Sequence, residues 1–542
     1  MSALEKLAEF GRRLDHGKGR SLAVVVLIAA ATWVVVIHAR VAVLPFDDAF
    51  ITYRYADNIA TGRGPVYNSG ERVFGSSTPL YLFWLTPLRL LSSHASLPEV
   101  AVRWNAIWLV LAGVAAFLLA RRLTGSSLLA ALAATCIMLN RSMLVISTGG
   151  MESFLFVSLV LLALWALSTR RSWSFGGLAG LALLTRPEGA VLVPLALFGF
   201  WRQWRPLARA LAAWMLVVGM WVVTATAYYG SPVPHSVVAK MQPIYPLPAG
   251  IAVDLVRVGV TGFLSDVWHQ SGRDLASLAT WGLLLVAAGA SVARGTSRRV
   301  AGWGPAAFLI GVMVLYLWGN PMIFPWYWPH LFVPALLTLM VGLPLAGDWA
   351  QKALSARNSR AARVSMPVAV TLTVAVSLTS LVSPYLRGPG GLQSVLTDVS
   401  ESPERLRVLA YREVASELNE LAAADDRLAA SEIGALGFYF SGEILDGCGL
   451  VTPAAIPFLP VAGSDRDHQA NGAIALEFVQ ATAPEWVVTL PVFARQSLLD
   501  SEWFQSQFLL AGRLPLPKEI WSSQEVLVFR SVDGLENRNE ID

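Results

Sequence analysis

Cysteine and charge are both scarce in this sequence. Its 542 residues include two cysteines, Cys136 and Cys448, and neither is part of a CxxC pair. This spacing gives no disulfide framework and no cysteine metal site. Charged residues make up 14% of the chain, and the formal net charge of +4 is too small to indicate a nucleic-acid partner. The composition therefore excludes disulfide scaffolds and nucleic-acid-binding proteins.

The chain is instead rich in long apolar runs. Apolar residues make up 55% of the chain, which is typical of a polytopic membrane protein. The 20 tryptophans suit the two membrane interfaces, where amphipathic rings are enriched. A span needs about 20 apolar residues, and basic loops stay in the cytoplasm. Together these rules predict eleven spans, near residues 21–39, 102–120, 126–144, 152–168, 173–185, 188–201, 207–228, 278–294, 301–318, 329–347 and 366–385.

The basic loops all fall on one side of the membrane only if three segments are assigned in a particular way. The first span is interpreted as retained, with a cytoplasmic N-terminus, because no small-residue cleavage site follows it. Residues 78–92 are assigned to a juxtamembrane helix, since Pro79 and Pro87 interrupt them. Residues 173–201 are split into a hairpin at residues 185–189. The segments that then share the outer side are residues 45–100, 149–153, 185–189, 228–276 and 321–330, and the C-terminus.

A soluble domain follows the membrane part. Residues 403–424 have the apolar periodicity of an amphipathic helix. Short apolar runs alternating with helical segments then predict a small α/β domain of four or five strands. These runs lie at residues 427–431, 444–446, 486–490 and 526–529. We therefore predict a polytopic α-helical membrane domain over residues 1–385 and an extracytoplasmic α/β domain over residues 386–542.

The stretch from Pro45 to Leu80 carries the strongest functional signal. An acidic pair, Asp47 and Asp48, stands where the first apolar run ends. An ionised side chain at the edge of a membrane is energetically unfavourable unless it is solvated, paired with an opposite charge or part of a functional site. The residues that follow, up to Ile59, predict a short interfacial helix with an aromatic face. The segments DDAF, YRYADN, GRGPVYN and GERV occur in that order along the stretch.

This series resembles the first outer loop of the GT-C superfamily of polyprenyl-phosphate-sugar-dependent glycosyltransferases. It is most similar to the branch that contains the terminal arabinofuranosyltransferases of mycobacterial cell walls. Protein O-mannosyltransferases and lipid A aminoarabinose transferases are more distant relatives. The resemblance implies a plasma-membrane enzyme that transfers a monosaccharide, with inversion, from a polyprenyl-phosphate donor. The acceptor would be an extracytoplasmic glycan, lipid or protein.

The resemblance also implies roles for three carboxylates. Asp47 takes the place of the general base, which removes the proton of the acceptor hydroxyl. The alternative for Asp47, and more so for Asp48, is stabilisation of a helix N-terminus. Glu152, within the segment GGMES, is either a second catalytic carboxylate or a solvated acid at a helix start. A divalent metal shared by these acids stays open, and no cofactor is expected to be required.

Basic and aromatic residues complete the predicted site. Lys240 is the first candidate for the donor phosphate, against the alternative of a lysine that snorkels to the interface. Arg186 ranks second, because a local pair with Glu188 explains it equally well. His235 stands where relatives often have asparagine, and it is a candidate hydrogen-bond partner. The remaining predicted cavity residues are Tyr53, Arg54, Tyr327 and His330.

Two other functional classes remain open at this stage. Intramembrane charges and broken helices also mark transporters, so a flippase of a lipid-linked sugar is one alternative. The sequence shows no inverted repeat, and the charges lie on one predicted side of the membrane. A non-catalytic sugar-binding subunit is the other alternative. The C-terminal domain is interpreted either as a binding site for the acceptor polymer or as a lid over the cavity.

Overall fold

The computed structural model describes residues 18–92, 95–241, 251–265, 273–298, 302–355, 360–382, 392–423, 425–467 and 472–532. The first part of the chain is helical because long apolar runs satisfy their backbone groups internally. Its helices are α1 (Lys18–Arg40), α2 (Asp47–Ala60), α3 (Pro79–Leu91), α4 (Leu97–Thr124), α5 (Ser127–Leu139), α6 (Arg141–Ser147), α7 (Ser153–Ser168), α8 (Ser172–Thr185), α9 (Leu192–Gly199), α10 (Trp204–Tyr229), α11 (His235–Met241), α12 (Ile251–Ser265), α13 (Arg273–Arg298), α14 (Gly304–Gly319), α15 (Trp328–Ser355) and α16 (Arg360–Val382).

Within the described ranges, helical structure lies at each of the eleven predicted spans. Within the described ranges, four helices are long and apolar enough to cross a membrane. A fifth span results if α5 and α6, which meet at an angle of 56°, count as one. The other apolar helical stretches within the described residues, such as Ala279–Ala293 and Val364–Thr379, are 10–17 residues long, so eleven crossings stay a prediction. The helices α11 and α12 were not predicted.

The predicted break between α8 and α9 is confirmed as a hairpin. A 3₁₀ turn, Pro187–Val191, joins the two helices. Gly189 packs so closely on the end of α8 that a Cβ atom there would lie 2.4 Å from the backbone nitrogen of Leu183. At the open end of the hairpin, the guanidinium of Arg170 donates to the carbonyl of Gly199. The chain therefore reverses direction at this turn.

The segments predicted to share one side of the membrane do converge. The N–H of Phe46 donates to the carbonyl of Gly149 at 3.0 Å, which joins the start of α2 to the end of α6. The hydroxyl of Ser153 donates to the carbonyl of Trp326 at 2.7 Å. Three predicted outer segments thus meet in a small region. That this region is extracytoplasmic stays a prediction.

The C-terminal domain is a five-stranded sheet with helices. Its elements are α17 (Leu392–Ser400), α18 (Pro403–Leu421), β1 (Arg427–Ala430), α19 (Ala435–Tyr439), β2 (Glu443–Asp446), α20 (Leu476–Thr482), β3 (Trp486–Thr489), α21 (Pro491–Ala494), α22 (Glu502–Gln507), β4 (Phe508–Ile520) and β5 (Ser523–Ser531). The strand order is β2-β1-β3-β5-β4, in which β1 pairs parallel to β2 and β3 while β5 pairs antiparallel to β3 and β4. The predicted domain boundary at residue 386 lies outside the described residues.

Buried polar groups attach this domain to the loop after α2. The amide side chain of Asn68 makes two hydrogen bonds to the backbone of Ile444, at 2.9 and 3.1 Å. The guanidinium of Arg54 donates to the carbonyls of Gly437, Phe440 and Gly442. Hydrogen bonds from a charged donor are stronger than neutral ones. The sheet domain is therefore fixed against the acidic loop, and α2 is held between the two parts of the chain.

Candidate active site

A cavity of about 540 Å³ lies where α2, the segment before α15 and the C-terminal domain meet. The membrane part supplies α2 residues, Lys240 and an aromatic segment, while the C-terminal domain supplies more than half of the lining residues. The wall is formed by Phe46, Asp47, Asp48, Ile51, Lys240, Met322, Ile323, Phe324, Pro325, Trp326, Glu404, Arg407, Ser431, Glu432, Ile433, Cys448, Leu450, Gly472, Val492, Phe493, Trp521 and Ser522.

Asp47 is held by the C-terminal domain. Its Oδ1 accepts the N–H of Ala435 at 2.8 Å, and its Oδ2 accepts the N–H of Gly434 at 3.1 Å. These two N–H groups lie at the start of α19, where backbone N–H groups have no acceptor within the helix itself. The carboxylate therefore stabilises the start of a helix that begins 388 residues further along the chain. At the start of α2 itself, the N-cap residue is Phe46, which makes no side-chain capping bond.

Burial changes the acidity of Asp47. The side chain is 4% exposed. This desolvation, reinforced by the negative charge of Glu432, raises the pKa of Asp47 to about 7, against the opposing effect of Arg407. A carboxylate with a pKa near neutrality is basic enough to accept a proton at neutral pH. Each oxygen also keeps a lone pair beyond the one that its backbone donor uses.

Asp48 and Lys240 line the same cavity. Burial raises the pKa of Asp48, and the positive charge of Lys240 is the first of the effects that oppose this rise. The ammonium of Lys240 makes no hydrogen bond and no close ion pair with any residue in the described ranges. An exposed ammonium without a fixed partner is available to an anionic ligand. The cavity thus combines carboxylates with one uncommitted cation.

Arg407 and Glu432 form a fixed ion pair in the cavity wall. Nη2 of Arg407 lies 2.8 Å from Oε1 of Glu432, and the hydroxyl of Tyr411 donates to Oε2 at 2.6 Å. The guanidinium also lies 4.9 Å from the ring centroid of Trp521. Arg407 was not among the predicted site residues. The available signal was a basic residue on the face of α18 that packs against the sheet.

Arg186, the second predicted phosphate ligand, lies in a buried ion-pair network. Its guanidinium donates to Glu152, and Nε lies 3.4 Å from Oε2 of Glu188. All three side chains are buried. This arrangement realises the alternative prediction of a local pair and extends it to Glu152. Glu152 is correspondingly paired rather than solvated, and neither residue lines the cavity.

His330 and Tyr327 belong to the same buried network. The hydroxyl of Tyr316 donates to Oε1 of Glu188 at 2.7 Å and lies 3.2 Å from Nδ1 of His330. The guanidinium of Arg186 lies 4.1 Å from the ring centroid of Tyr327. The polar residues of the aromatic segment therefore face the network. Their apolar neighbours line the cavity, where the rings of Phe324 and Trp326 stack at 4.6 Å.

Tyr53 and Arg54 support the loop and do not line the cavity. The hydroxyl of Tyr53, which is fully buried, donates to the carbonyl of Gly150 at 2.8 Å. Arg54 makes the domain contacts described above and also donates to the carbonyl of Tyr67 at 2.8 Å. Their predicted contact with substrate therefore stays a prediction that this cavity does not support. His235 also lies outside the cavity wall, and its backbone N–H donates to the carbonyl of Phe74 at 2.7 Å.

The acids of the site do not form a recognisable metal centre. Among the described residues, no group of three or more His, Cys, Asp or Glu side chains has an arrangement that could hold a metal ion. Glu152, a predicted third ligand, is bound to Arg186. Asp446 is also outside the cavity wall, because its carboxylate accepts N–H groups of Cys448 and Val451 within a turn. The metal requirement stays untested.

Sequence comparison gives two partial matches. Residues 403–529 match a family described as a domain of unknown function (DUF8728). The terminal β-(1→2)-arabinofuranosyltransferase of Corynebacterium glutamicum is 26% identical to this chain over 225 residues. The match covers 36% of this chain and 32% of that enzyme, so it spans about a third of the relative's length.

Comparison with solved structures covers nearly the whole chain. ArnT from Cupriavidus metallidurans, in the apo state, has a TM-score of 0.55 at 14% identity, over 93% of this chain and 97% of ArnT. The same enzyme bound to undecaprenyl phosphate has a TM-score of 0.52 at 12% identity, with the same coverage. The oligosaccharyltransferase of Archaeoglobus fulgidus, complexed with Zn and sulfate, has a TM-score of 0.52 at 14% identity, over 93% of this chain and 72% of that one. The resemblance identified in the acidic loop is thus confirmed at the level of the fold: over 93% of its length, the chain has the fold of the GT-C glycosyltransferases.

Proposed function

We propose that this protein is a membrane glycosyltransferase that moves a monosaccharide from a polyprenyl-phosphate donor to an acceptor glycan, lipid or protein. Its substrates would meet in the cavity described above, on the extracytoplasmic side. Support comes from the GT-C fold, and from the fact that a structural relative of this fold binds undecaprenyl phosphate. The observation that carries the proposal is that the Asp47 carboxylate and the Lys240 ammonium, which has no partner among the described residues, line one cavity.

Asp47 would act as the general base. As the acceptor oxygen attacks the anomeric carbon, its proton passes to the Asp47 carboxylate. The bond between the anomeric carbon and the phosphate oxygen breaks, and its electron pair stays on that oxygen. The products are the glycosylated acceptor and polyprenyl phosphate. A single displacement inverts the anomeric configuration, as the resemblance implied.

Lys240 would stabilise the leaving group. The donor phosphate is already anionic and gains negative charge as the sugar departs, so this cation would favour both the bound donor and the transition state. Arg407 is less suited to this role, because Glu432 already neutralises it. Asp48 would keep the Lys240 ammonium directed into the cavity. The reaction needs no redox partner.

The proposal is tested by product release. Purified protein is incubated with a panel of polyprenyl-phosphate sugars, and polyprenyl phosphate is measured by mass spectrometry. The name of the Corynebacterium relative makes the arabinofuranosyl donor the first to test. Release of polyprenyl phosphate from one donor, faster with an added glycan acceptor, is the expected result. No release from any donor would refute the enzyme assignment.

Substitution of the proposed base separates the functional classes. Asp47→Asn is expected to lower the transfer rate by at least a hundredfold, because it removes the base. Asp57→Asn is the matched control on α2, since Asp57 pairs with Arg63 and Arg89 away from the cavity. Donor binding should survive in both variants. A flippase or a sugar-binding subunit would tolerate the loss of Asp47.

A further inference from the structure

The turn between β4 and β5 holds an aromatic residue in an unusual backbone conformation. Trp521 and Ser522 have φ angles of 50° and 59°, in the left-handed region that favours glycine. Such strain persists only where the surrounding structure maintains it, and it is found most often at functional sites. The turn places Trp521 in the cavity wall, where its side chain remains 45% exposed.

Two neighbours fix the indole of Trp521 without covering it. The ring of Phe493 lies 5.8 Å away in an edge-to-face arrangement, and the guanidinium of Arg407 lies 4.9 Å from the indole centroid. The face of an aromatic ring carries a negative quadrupole, which attracts polarised C–H groups. A sugar ring presents such groups on its apolar face. This corner of the cavity is therefore suited to stack one sugar residue.

Polar groups that lack partners lie in the same wall. Ser431 is 9% exposed, and its Oγ has no hydrogen-bond partner among the described residues. A buried hydroxyl without a partner is destabilising, which points to a ligand that supplies one. Glu404 is an exposed residue of the same wall, and its carboxylate accepts no hydrogen bond from a described residue. Acceptors of this kind are what the hydroxyls of a carbohydrate require.

We propose that the C-terminal domain forms the acceptor subsite and binds a carbohydrate through Trp521, Ser431 and Glu404. The inference rests on the proposed function, in which Lys240 on the membrane side holds the donor phosphate. Among its described residues, the wall of the C-terminal domain offers no uncommitted cation, since Arg407 is bound to Glu432. It is therefore a poor phosphate site and a good site for a neutral, polyhydroxylated ligand. The strained turn fixes the stacking residue before the ligand arrives.

Binding of defined oligosaccharides tests the subsite. The full-length protein is titrated with arabinofuranose, mannose and glucose tetrasaccharides by isothermal titration calorimetry. Trp521→Leu, which removes the aromatic face but keeps an apolar side chain, is expected to weaken binding by about three- to tenfold. Trp521→Phe should retain most of the affinity. Ser431→Ala should weaken binding by about fivefold, through the loss of one hydrogen bond.

Controls separate this proposal from the proposed reaction. Leu509→Ala, at an exposed position on β4 outside the cavity, should bind carbohydrate like the wild-type protein. Leu509→Ala should also bind polyprenyl phosphate and release it from the donor like the wild-type protein. The subsite is refuted if the wild-type protein binds none of the tetrasaccharides, or if Trp521→Leu binds them as tightly as Trp521→Phe. Failure of the wild-type protein to release polyprenyl phosphate would instead refute the reaction.

Discussion

Gly434 is the position where a single methyl group should disturb the proposed base. A Cβ atom on this residue would lie 2.0 Å from the backbone oxygen of Asp47 and 2.4 Å from its Oδ2. Both distances are far below van der Waals contact. The obstructing atoms include backbone, so rotation of a side chain cannot relieve the overlap. Gly434→Ala must therefore move α19 away from α2.

The expected effect can be bounded from this geometry. Overpacking a buried site typically costs about 1–3 kcal/mol of stability. Relief of the overlap needs a displacement of about 1 Å, and misplacement on this scale can lower a catalytic rate by about 10²-fold. We expect Gly434→Ala to fold with a lower thermal stability and to transfer sugar about a hundredfold more slowly. Donor KM should change little, because Lys240 lies on another segment.

Steady-state transfer and thermal unfolding, both in the same detergent, measure these effects. Gly463→Ala is the matched control in the C-terminal domain, since the nearest heavy atom to its Cβ would be the Arg466 side chain at 3.7 Å. A double mutant with Asp47→Asn provides a sharper test. If the methyl group acts only through Asp47, adding Gly434→Ala to Asp47→Asn should slow transfer no further.

The reasoning is refuted by either of two results. Gly434→Ala with wild-type activity and stability would mean that α19 does not approach Asp47 closely. Equal and additive losses in the double mutant would mean that Gly434 and Asp47 act on separate steps. In the second case, the contact between the domains would be structural. Another carboxylate would then have to be the base, and Asp48 would be the first to test.

Three further predictions follow from the charges of the site. The value of kcat/KM should rise with pH through about 7 as Asp47 loses its proton. Glu432→Gln should move this rise to lower pH, because it removes a repelling charge, and a pH–rate profile measures the shift. Lys240→Met should raise the donor KM roughly 10- to 100-fold, by removing a charge-assisted bond to phosphate. Arg186→Met should lower stability by about 3–5 kcal/mol in thermal unfolding, because two buried carboxylates lose their partner.

Each of these predictions has a contrary outcome. An unshifted pH profile in Glu432→Gln would mean that Asp47 does not control the rise. Lys352→Met is the control for Lys240, since Lys352 makes an exposed pair with Asp348, and equal effects on donor KM would exclude a specific phosphate site. If Arg186→Met unfolds normally but raises the donor KM, Arg186 binds phosphate after all.

Local patterns predicted most elements of the membrane part, although they missed α11 and α12. The apolar runs predicted helices at each position, and Pro187 marked the hairpin correctly because proline cannot continue a helix. The interfacial helix was expected from Asp48 to Ile59 and is observed as Asp47–Ala60. Length limits what such patterns show, since a run of about 14 residues is equally consistent with a buried helix. The number of crossings therefore could not be fixed.

The C-terminal domain shows where periodicity fails. Apolar periodicity does not match burial along α18, since Leu409 and Leu421 are exposed whereas Arg405 and Arg407 are buried. Arg405 is accommodated because it donates to the carbonyl of Leu44 and other groups of the membrane part. The strand β4 was missed because Pro515 and Pro517 argue against a strand, although an edge strand tolerates them.

Most of the candidate site depends on contacts that no local pattern encodes. Asp47 and Lys240 were predicted because the loops that carry them have recognisable sequences. Glu432 and Trp521 reach the same cavity only because the sheet domain packs on α2, through groups such as Asn68 and Ile444. Since the N–H groups that hold Asp47 belong to this domain, its docking and the basicity of Asp47 are physically linked. The domain that residues 403–529 match, whose function is unknown, is thus part of the proposed catalytic centre.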